Sequence, residues 1–314
     1  MTKKKQNYSA KNKLWASIRL LVSGLLFYSG VALIFFGSGL GNSYLVQLNA
    51  EQASSKLTAK KADQNKQHKT TYDASKTESI TTKRLLTSRH KKAYAIGQIA
   101  IPAVNIHTPL FAGYGSHNQN LAYGVVTCLP ERIMGGQNNY VLAGHYMGTY
   151  GGAVLDNLHL AKAGDIVYVT DLHYIYAYRI QSISFTIKPT QVEVENNVQK
   201  KRLLTLITCS DFNTSKYGYG THRTVAQGEL IGKAKATSKN LLAAELTGKQ
   251  ESKQTRKITL VTDKGHKTIA PQKQTSLIAQ PSFFQNTRTL STIIICLTIL
   301  FLLIIIAALS KIWF

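Results

Sequence analysis

The chain has 314 residues, of which 44% are hydrophobic, and it carries 38 Lys+Arg against 15 Asp+Glu for a formal net charge of +23. That length allows one or two domains, and the charge calls for a polyanionic neighbour: nucleic acid, anionic lipid headgroups or an anionic wall polymer. Nucleic acid is not expected, because no zinc-finger spacing, RNP-like motif or basic heptad region accompanies the charge; a disulfide framework or zinc site is excluded by three scattered cysteines, Cys128, Cys209 and Cys296, without C-x-x-C spacing.

Residues 1–19 form a basic tail in which Lys3, Lys4, Lys5, Lys11, Lys13 and Arg19 precede an uncharged stretch, 20–40. About 20 apolar residues cross a bilayer core, so this stretch predicts a transmembrane helix with a cytoplasmic N-terminus. Gly37-Ser38-Gly39 leaves a cleaved signal peptide as the rival reading, although the stretch is long for one. Residues 41–92 are rich in Lys, Gln, Ser, Thr and Ala and contain no proline. They read as an extracytoplasmic linker, a flexible stalk with one helical piece near 44–61.

Between 93 and 235 the pattern changes. Short β-prone runs at 96–101, 140–143, 166–169, 174–187, 203–208 and 224–230 alternate with Gly-rich breaks at 112–115, 134–136, 150–152 and 217–220. No strong amphipathic helix separates the runs, which argues against a parallel α/β sheet. The expectation is an all-β fold, a closed barrel or sandwich with a core of its own. Residues 236–288 read as a second polar linker with one strand-like patch, 257–262. The uncharged stretch 289–310 predicts a second transmembrane helix, followed by a short tail, 311–314. It resembles a wall-sorting signal in form, but no LPxTG-like motif stands in 276–286, so it reads as a permanent anchor. Two crossings place residues 41–288 outside the cell membrane and both termini inside.

The residues that suggest chemistry lie in the middle segment. Cys209 follows the β-prone run Leu203–Thr208 and precedes a polar, turn-rich loop. A strand end holds the backbone still while the side chain faces a cleft. The chain re-enters an apolar run at Thr224, with Arg223 at the re-entry, so pairing of the two runs brings Arg223 beside Cys209. His145 closes another β-prone run, 139–144. A thiol nucleophile needs a proton acceptor, and imidazole is the usual one. A developing oxyanion needs donors, which Arg223 and the backbone N–H of Ser210 can supply. His222 adjoins Arg223 and points to the opposite face of a strand, so His145 is the preferred acid and base. At pH 7 about 3% of ordinary cysteine thiols are ionised and roughly a quarter of ordinary imidazoles are charged. Independent titration therefore leaves under about 1% of molecules with the thiolate and imidazolium together. Cys128, in a β-run, and Cys296, inside an apolar span, have bland structural readings.

With their flanks, Leu142-Ala-Gly-His145, Thr205-Leu-Ile-Thr-Cys209 and His222-Arg-Thr-Val225 resemble the sortase family. The resemblance continues through 96–102, 135–145 and 188–194 and covers about 93–232. It implies an eight-stranded β-barrel and a substrate protein bearing a C-terminal LPxTG-like sorting signal. Cys209 would attack the Thr–Gly bond, and an amine would resolve the acyl-enzyme; in class A enzymes that amine belongs to lipid II or peptidoglycan. By the same resemblance Ala143, Val192 and Val194 would contact the leucine and proline of the signal, with Thr208 and Ser210 completing the substrate-binding set. Pro189-Thr-Gln-Val192 and the Gly-Gly-Gln-Asn approach to His145 are class A features. The C-terminal span and Thr221-His-Arg223 are closer to class C, the pilin polymerases that use a lysine acceptor. Class C also implies a proline-containing lid motif, which 41–92 lacks, so class A is the preferred reading. No cofactor or metal is expected; calcium would need an acidic cluster, and only Glu131, Glu193 and Glu195 stand near the matching region. An inactive, membrane-tethered wall-binding module is the third reading, and the retained Cys209, His145 and Arg223 argue against it.

Overall fold

The computed structural model describes residues 10–77, 80–147, 154–212, 220–247, 257–270 and 287–313. Two of the Gly-rich breaks expected from the sequence, 150–152 and most of 217–220, and the last residue of the 311–314 tail lie outside them. The chain divides into two compact units, one made of 1–41 with 282–314 and the other of 42–281.

Helix α1 (Ala10–Gly37) begins inside the basic tail, with Lys11, Lys13 and Arg19 in its first turns, and is uncharged from Leu20 onward. Ser38 ends it and caps the next helix: its Oγ accepts the Gly41 N–H at 3.2 Å. Helices α2 (Gly39–Ser54), α3 (Ala59–Asn65) and α4 (Thr82–Arg89) follow, the last two capped by Thr58 and Thr81. Residues 41–92 are therefore not the flexible stalk that their composition suggests. Leu45, Val46, Ala62 and Leu85 are buried. Asn49 Nδ2 donates to Leu85 O (3.1 Å) and Ala122 O (3.3 Å), and Asn65 Nδ2 donates to Ala95 O (2.7 Å). A few well-placed apolar side chains and buried amides dock this segment, which an average over composition does not register.

Strands β1 (Ala95–Ile101), β2 (Ile106–Phe111), β3 (Val125–Thr127), β4 (Asn139–Ala143), β5 (Ile166–Thr170), β6 (Tyr174–Ile187), β7 (Leu203–Phe212) and β8 (Gly220–Lys235) come next. They pair in the order β8-β6-β5-β1-β2-β3-β4-β7, and β7 pairs back to β8. The ring is closed with eight strands, the expected all-β barrel, and closure leaves none of the eight as an edge. Pairs β2–β3 and β4–β7 are parallel and the rest are antiparallel. The β-prone runs in the sequence correspond to six of these strands. The other two, β2 and β3, are poor signals: β2 holds Pro109, and β3 has three residues.

Beyond the barrel, helix α5 (Ser238–Ala243) and the hairpin β9 (Ile258–Thr262) to β10 (Gly265–Ile269) occupy part of the expected second linker. That segment is thus folded where it is described, not a free linker. One face of the wall carries the cross-strand row His107–Ala100–Tyr168–Ala177–Gly232. Leu246, Ile258 and Leu260 pack onto this face in one cluster with Ala100, Tyr168 and Ala177. Ile99 and Val169, one residue along on the same strands, point to the other face and are also buried. Both faces of β1 are covered, which is why all seven of its residues are buried. Gly232 sets the approach of the hairpin: its φ is +150°, and a Cβ there would lie 2.8 Å from Val261 O.

Helix α6 (Thr287–Trp313) is the second helix long and apolar enough to cross a membrane. Within its unit it packs antiparallel to α1. Lys13 Nζ donates to Trp313 O (3.1 Å), Trp313 Nε1 to Ser17 Oγ (3.0 Å), and Tyr28 OH bonds Thr298 Oγ1 at 2.6 Å. Gly24 allows the Ile305 side chain to lie close.

Candidate active site

Strands β4 and β7 run parallel in the register Asn139↔Leu203 to Ala143↔Ile207, and the Gly144 N–H extends the ladder to Ile207 O at 3.1 Å. There β4 leaves the sheet. Strand β7 continues, paired with β8 as Thr208↔Thr224, Cys209↔Arg223 and Ser210↔His222. His145 and Cys209 each stand two residues beyond the last registered β4–β7 pair. Beyond Ala143 that edge of β7, beside the thiol, has no registered strand partner among the described residues. Cys209 is consequently not at a strand end, as the sequence suggests, but inside a two-stranded extension of the wall. Residues 213–219, which join β7 to β8, lie outside the described residues. Gly220 belongs to the same arrangement, because a Cβ there would come within 2.8 Å of Cys209 Cβ.

The three expected catalytic side chains are thus placed by strand register. The Arg223 guanidinium donates through Nη1 to Gly220 O and His222 O, both at 3.0 Å. These bonds fix one end of the fork, and Nε and Nη2 carry three further N–H groups. His222 pairs with Ser210 and, by strand alternation, projects to the face opposite Arg223. Ser210 commits its hydroxyl to Phe185 O (2.8 Å), so its backbone is what it can offer a substrate. Thr208 is 3% exposed and packs beneath the site.

Burial holds the His145 imidazole well below its ordinary value, at about 4, with the positive charges of Arg84 and Arg223 acting in the same direction. Arg84 lies on α4, in the segment expected to be a stalk, and also donates to His117 O. No local signal distinguishes it in the sequence from its basic neighbours. It matters because the imidazolium is the form that can protonate a leaving amine. Above its pKa, the charged fraction of His145 falls tenfold for each unit that the pKa is lowered. Replacing Arg84 with Gln removes one depressing charge and raises the His145 pKa. The expected pH profile of kcat/KM has its acid limb displaced to higher pH and its neutral plateau raised roughly two- to tenfold. An unchanged acid limb would remove Arg84 from the site.

The expected substrate contacts lie on two elements. Ala143 ends β4, while Val192 and Val194 lie on a short turn, Val192–Glu195, before β7. Val192 is 60% exposed. Val194, with Ile187, Val198 and Val225, lines a groove of about 340 Å³. One residue that sequence reasoning missed holds this turn. Asn139 is fully buried; its N–H donates to Asn197 Oδ1 (2.8 Å), its Nδ2 to Val194 O (2.9 Å) and Asn196 O (3.2 Å), and its Oδ1 accepts from Thr205 Oγ1 (2.7 Å). Asn139 opens the β-prone run that leads to His145, but nothing local to that run shows that its amide reaches a turn more than fifty residues on.

The other thiols are set apart. Cys128 is buried, and burial pushes its thiol up to about 12, so it stays protonated at neutral pH. Cys296 lies within α6. Burial also raises the Glu195 carboxyl, against the lowering effect of Arg132.

The family described as "Sortase domain" matches residues 99–231. Sortase A of Streptococcus agalactiae is 39% identical over 199 residues, covering 62% of this chain and 79% of that protein. Sortase A of Bacillus anthracis is 31% identical over 210 residues, covering 65% and 95%. Among solved structures, sortase A of Listeria monocytogenes aligns at 33% identity over 49% of this chain and 95% of that one, with a TM-score of 0.41.

Proposed function

The chain belongs to the sortase family, and from that premise we propose that it is a cysteine transpeptidase of the class A kind. It cleaves an LPxTG-like sorting signal between Thr and Gly and transfers the surface protein to a cell-wall amine of lipid II or peptidoglycan. The observation that carries this reading is the register that sets Cys209 opposite Arg223, with His145 at the matching step beyond β4.

The steps follow from the placement. The Cys209 thiolate attacks the threonine carbonyl carbon, and the oxygen takes the negative charge. Arg223, already oriented by two backbone carbonyls, donates N–H groups to that oxygen. The C–N bond breaks as the His145 imidazolium protonates the leaving glycine amine, which leaves a thioester and a neutral imidazole. An incoming amine attacks the thioester carbon, neutral His145 removes its proton, and the thiolate departs. The cycle closes with no net proton or electron change and uses no metal. Ala143, Val192 and Val194 are assigned to the apolar residues of the signal and the Ser210 backbone to the scissile bond, while Thr208, 3% exposed and on the face of β7 opposite Cys209, supports the strand from behind.

The antiparallel packing of α1 and α6 supports a two-pass arrangement in which both termini are cytoplasmic and the barrel is extracytoplasmic. A helix pair joined in this sense returns the chain to the side where it began.

The test is transpeptidation by the full-length protein in detergent micelles with an LPxTG peptide. Acceptors are a glycine or alanine peptide amine and, separately, a lysine side chain in a pilin-type peptide. The expected result is a thioester on the protein and a product with the N-terminal amine only. A product with the lysine side chain alone would replace this reading by a pilin polymerase, and absence of both thioester and product would leave a binding module.

A further inference from the structure

A second concavity lies at the opposite end of the central strands. The hairpin β9–β10, the turn before β4 and the adjacent parts of β6 and β8 enclose a groove of about 780 Å³. Arg202 stands at the start of β7, seven positions before Cys209. An extended strand rises about 3.3 Å per residue, so roughly 23 Å separates the groove from the thiol. The groove is not part of the transpeptidation cleft.

Its walls are cationic. Among the described residues Arg202, Lys233, Lys264 and Lys267 line it together with one acid, Asp263. Asp263 is 86% exposed at its side chain and meets Arg202 at 3.4 Å, a weak and solvated pair. The register places Lys233 on the groove face, whereas Lys267 pairs with Leu260 and leaves the hairpin on its other face, with Lys264 at the turn between the two strands. The row Ile99–Val169–Tyr176–Lys233–Val261–His266 crosses the sheet on one face, buried at the β1 end and open at the hairpin. The added hairpin therefore carries the exposed end of a barrel row outward and makes one side of a trough. Tyr176 forms an aromatic wall, held against Gly135, and Lys233 lies 4.9 Å from the ring centre of Tyr174.

We propose that this groove binds an anionic phosphodiester polymer of the cell wall. Its volume exceeds what one phosphate ion fills, and its concave form does not fit the plane of a bilayer. A flexible chain of repeated phosphodiesters matches both the size of the groove and its several cationic side chains, while the polyol or sugar carbons between phosphates can rest on Tyr176. The consequence is a protein held along the wall polymer at one end of the barrel while its cleft at the other end takes sorting signals.

The experiment uses the full-length protein in phosphatidylcholine nanodiscs and a fluorescent synthetic poly(glycerol phosphate). Three proteins are compared: wild type, the triple variant Lys233→Gln, Lys264→Gln, Lys267→Gln, and the triple variant with Arg at the same positions. The expected result is salt-sensitive binding by wild type, about tenfold weaker binding by the glutamine variant, and retention by the arginine variant. Cleavage of a soluble LPxTG peptide should be equal in all three, which separates this inference from the catalytic reading. Equal polymer binding by wild type and the glutamine variant overturns the proposal. So does complete displacement of the polymer by inorganic phosphate at equal phosphate concentration. A loss seen only with phosphatidylglycerol nanodiscs, and not with the polymer, overturns it in favour of a membrane surface.

Discussion

Replacing Cys209 with Ala is expected to abolish thioester formation and to lower peptide cleavage at least about 10⁴-fold, because the variant lacks the atom that bonds to the acyl group. Mass spectrometry of the full-length protein incubated with an LPxTG peptide reads the adduct directly. Cys128→Ala serves as the matched control and should keep the adduct and the rate. The contrast has a physical basis. Cys128 is buried beside Tyr114, and its thiol is raised to about 12, so it supplies almost no thiolate. Cys209 sits at the edge that β4 vacates. An acyl adduct surviving in the Cys209→Ala protein would move the nucleophile elsewhere and dissolve the proposed site. The fold should be unaffected, since the side chain is only part-buried and its strand is held by the β7–β8 ladder.

Replacing Arg223 with Ala is expected to lower kcat by about 10²- to 10³-fold with a smaller change in KM. Its guanidinium is oriented by Gly220 O and His222 O before substrate arrives, so it reaches the developing oxyanion with little reorganisation. Lysine at 223 should recover part of the loss and not all of it, because an ammonium keeps the charge but not the planar fork. A second effect runs the other way. Arg223 is one of the charges that hold the His145 imidazolium down, so its removal raises the His145 pKa above about 4. The acid limb of the pH profile should therefore move to higher pH in Arg223→Ala even as the rate falls. A loss confined to KM, with kcat unchanged, would reassign Arg223 to substrate binding alone.

The two predictions rest on different kinds of legibility. Cys209, His145 and Arg223 were readable as candidates because each stands beside a β-prone run, and period-two alternation is a local property of the chain. The pairing of Cys209 with Arg223 was also within reach, since the two runs are joined by one loop and a hairpin is the simplest way to connect them. Arg84 was not readable. It meets His145 only through the docking of α4, and its own neighbourhood is a run of basic and hydroxyl side chains like any solvated segment. Asn139 was quoted within a motif and still missed, because its bonds reach a turn more than fifty residues away.

By itself, the sequence determined the two apolar spans, the β-rich middle and which side chains stand as catalytic candidates. All of these depend on residue type and short-range periodicity. Tertiary structure alone decided that 41–92 and parts of 236–288 fold onto the molecule, that eight strands close in the order observed, and that β4 stops pairing with β7 at Ala143, two residues short of His145. It also decided that a hairpin outside the barrel extends the sheet past Lys233 to form one side of a groove. The physical reason is the same in each case. Burial, charge and register at these places are set by partners distant along the chain, and no window of sequence contains both halves of the contact.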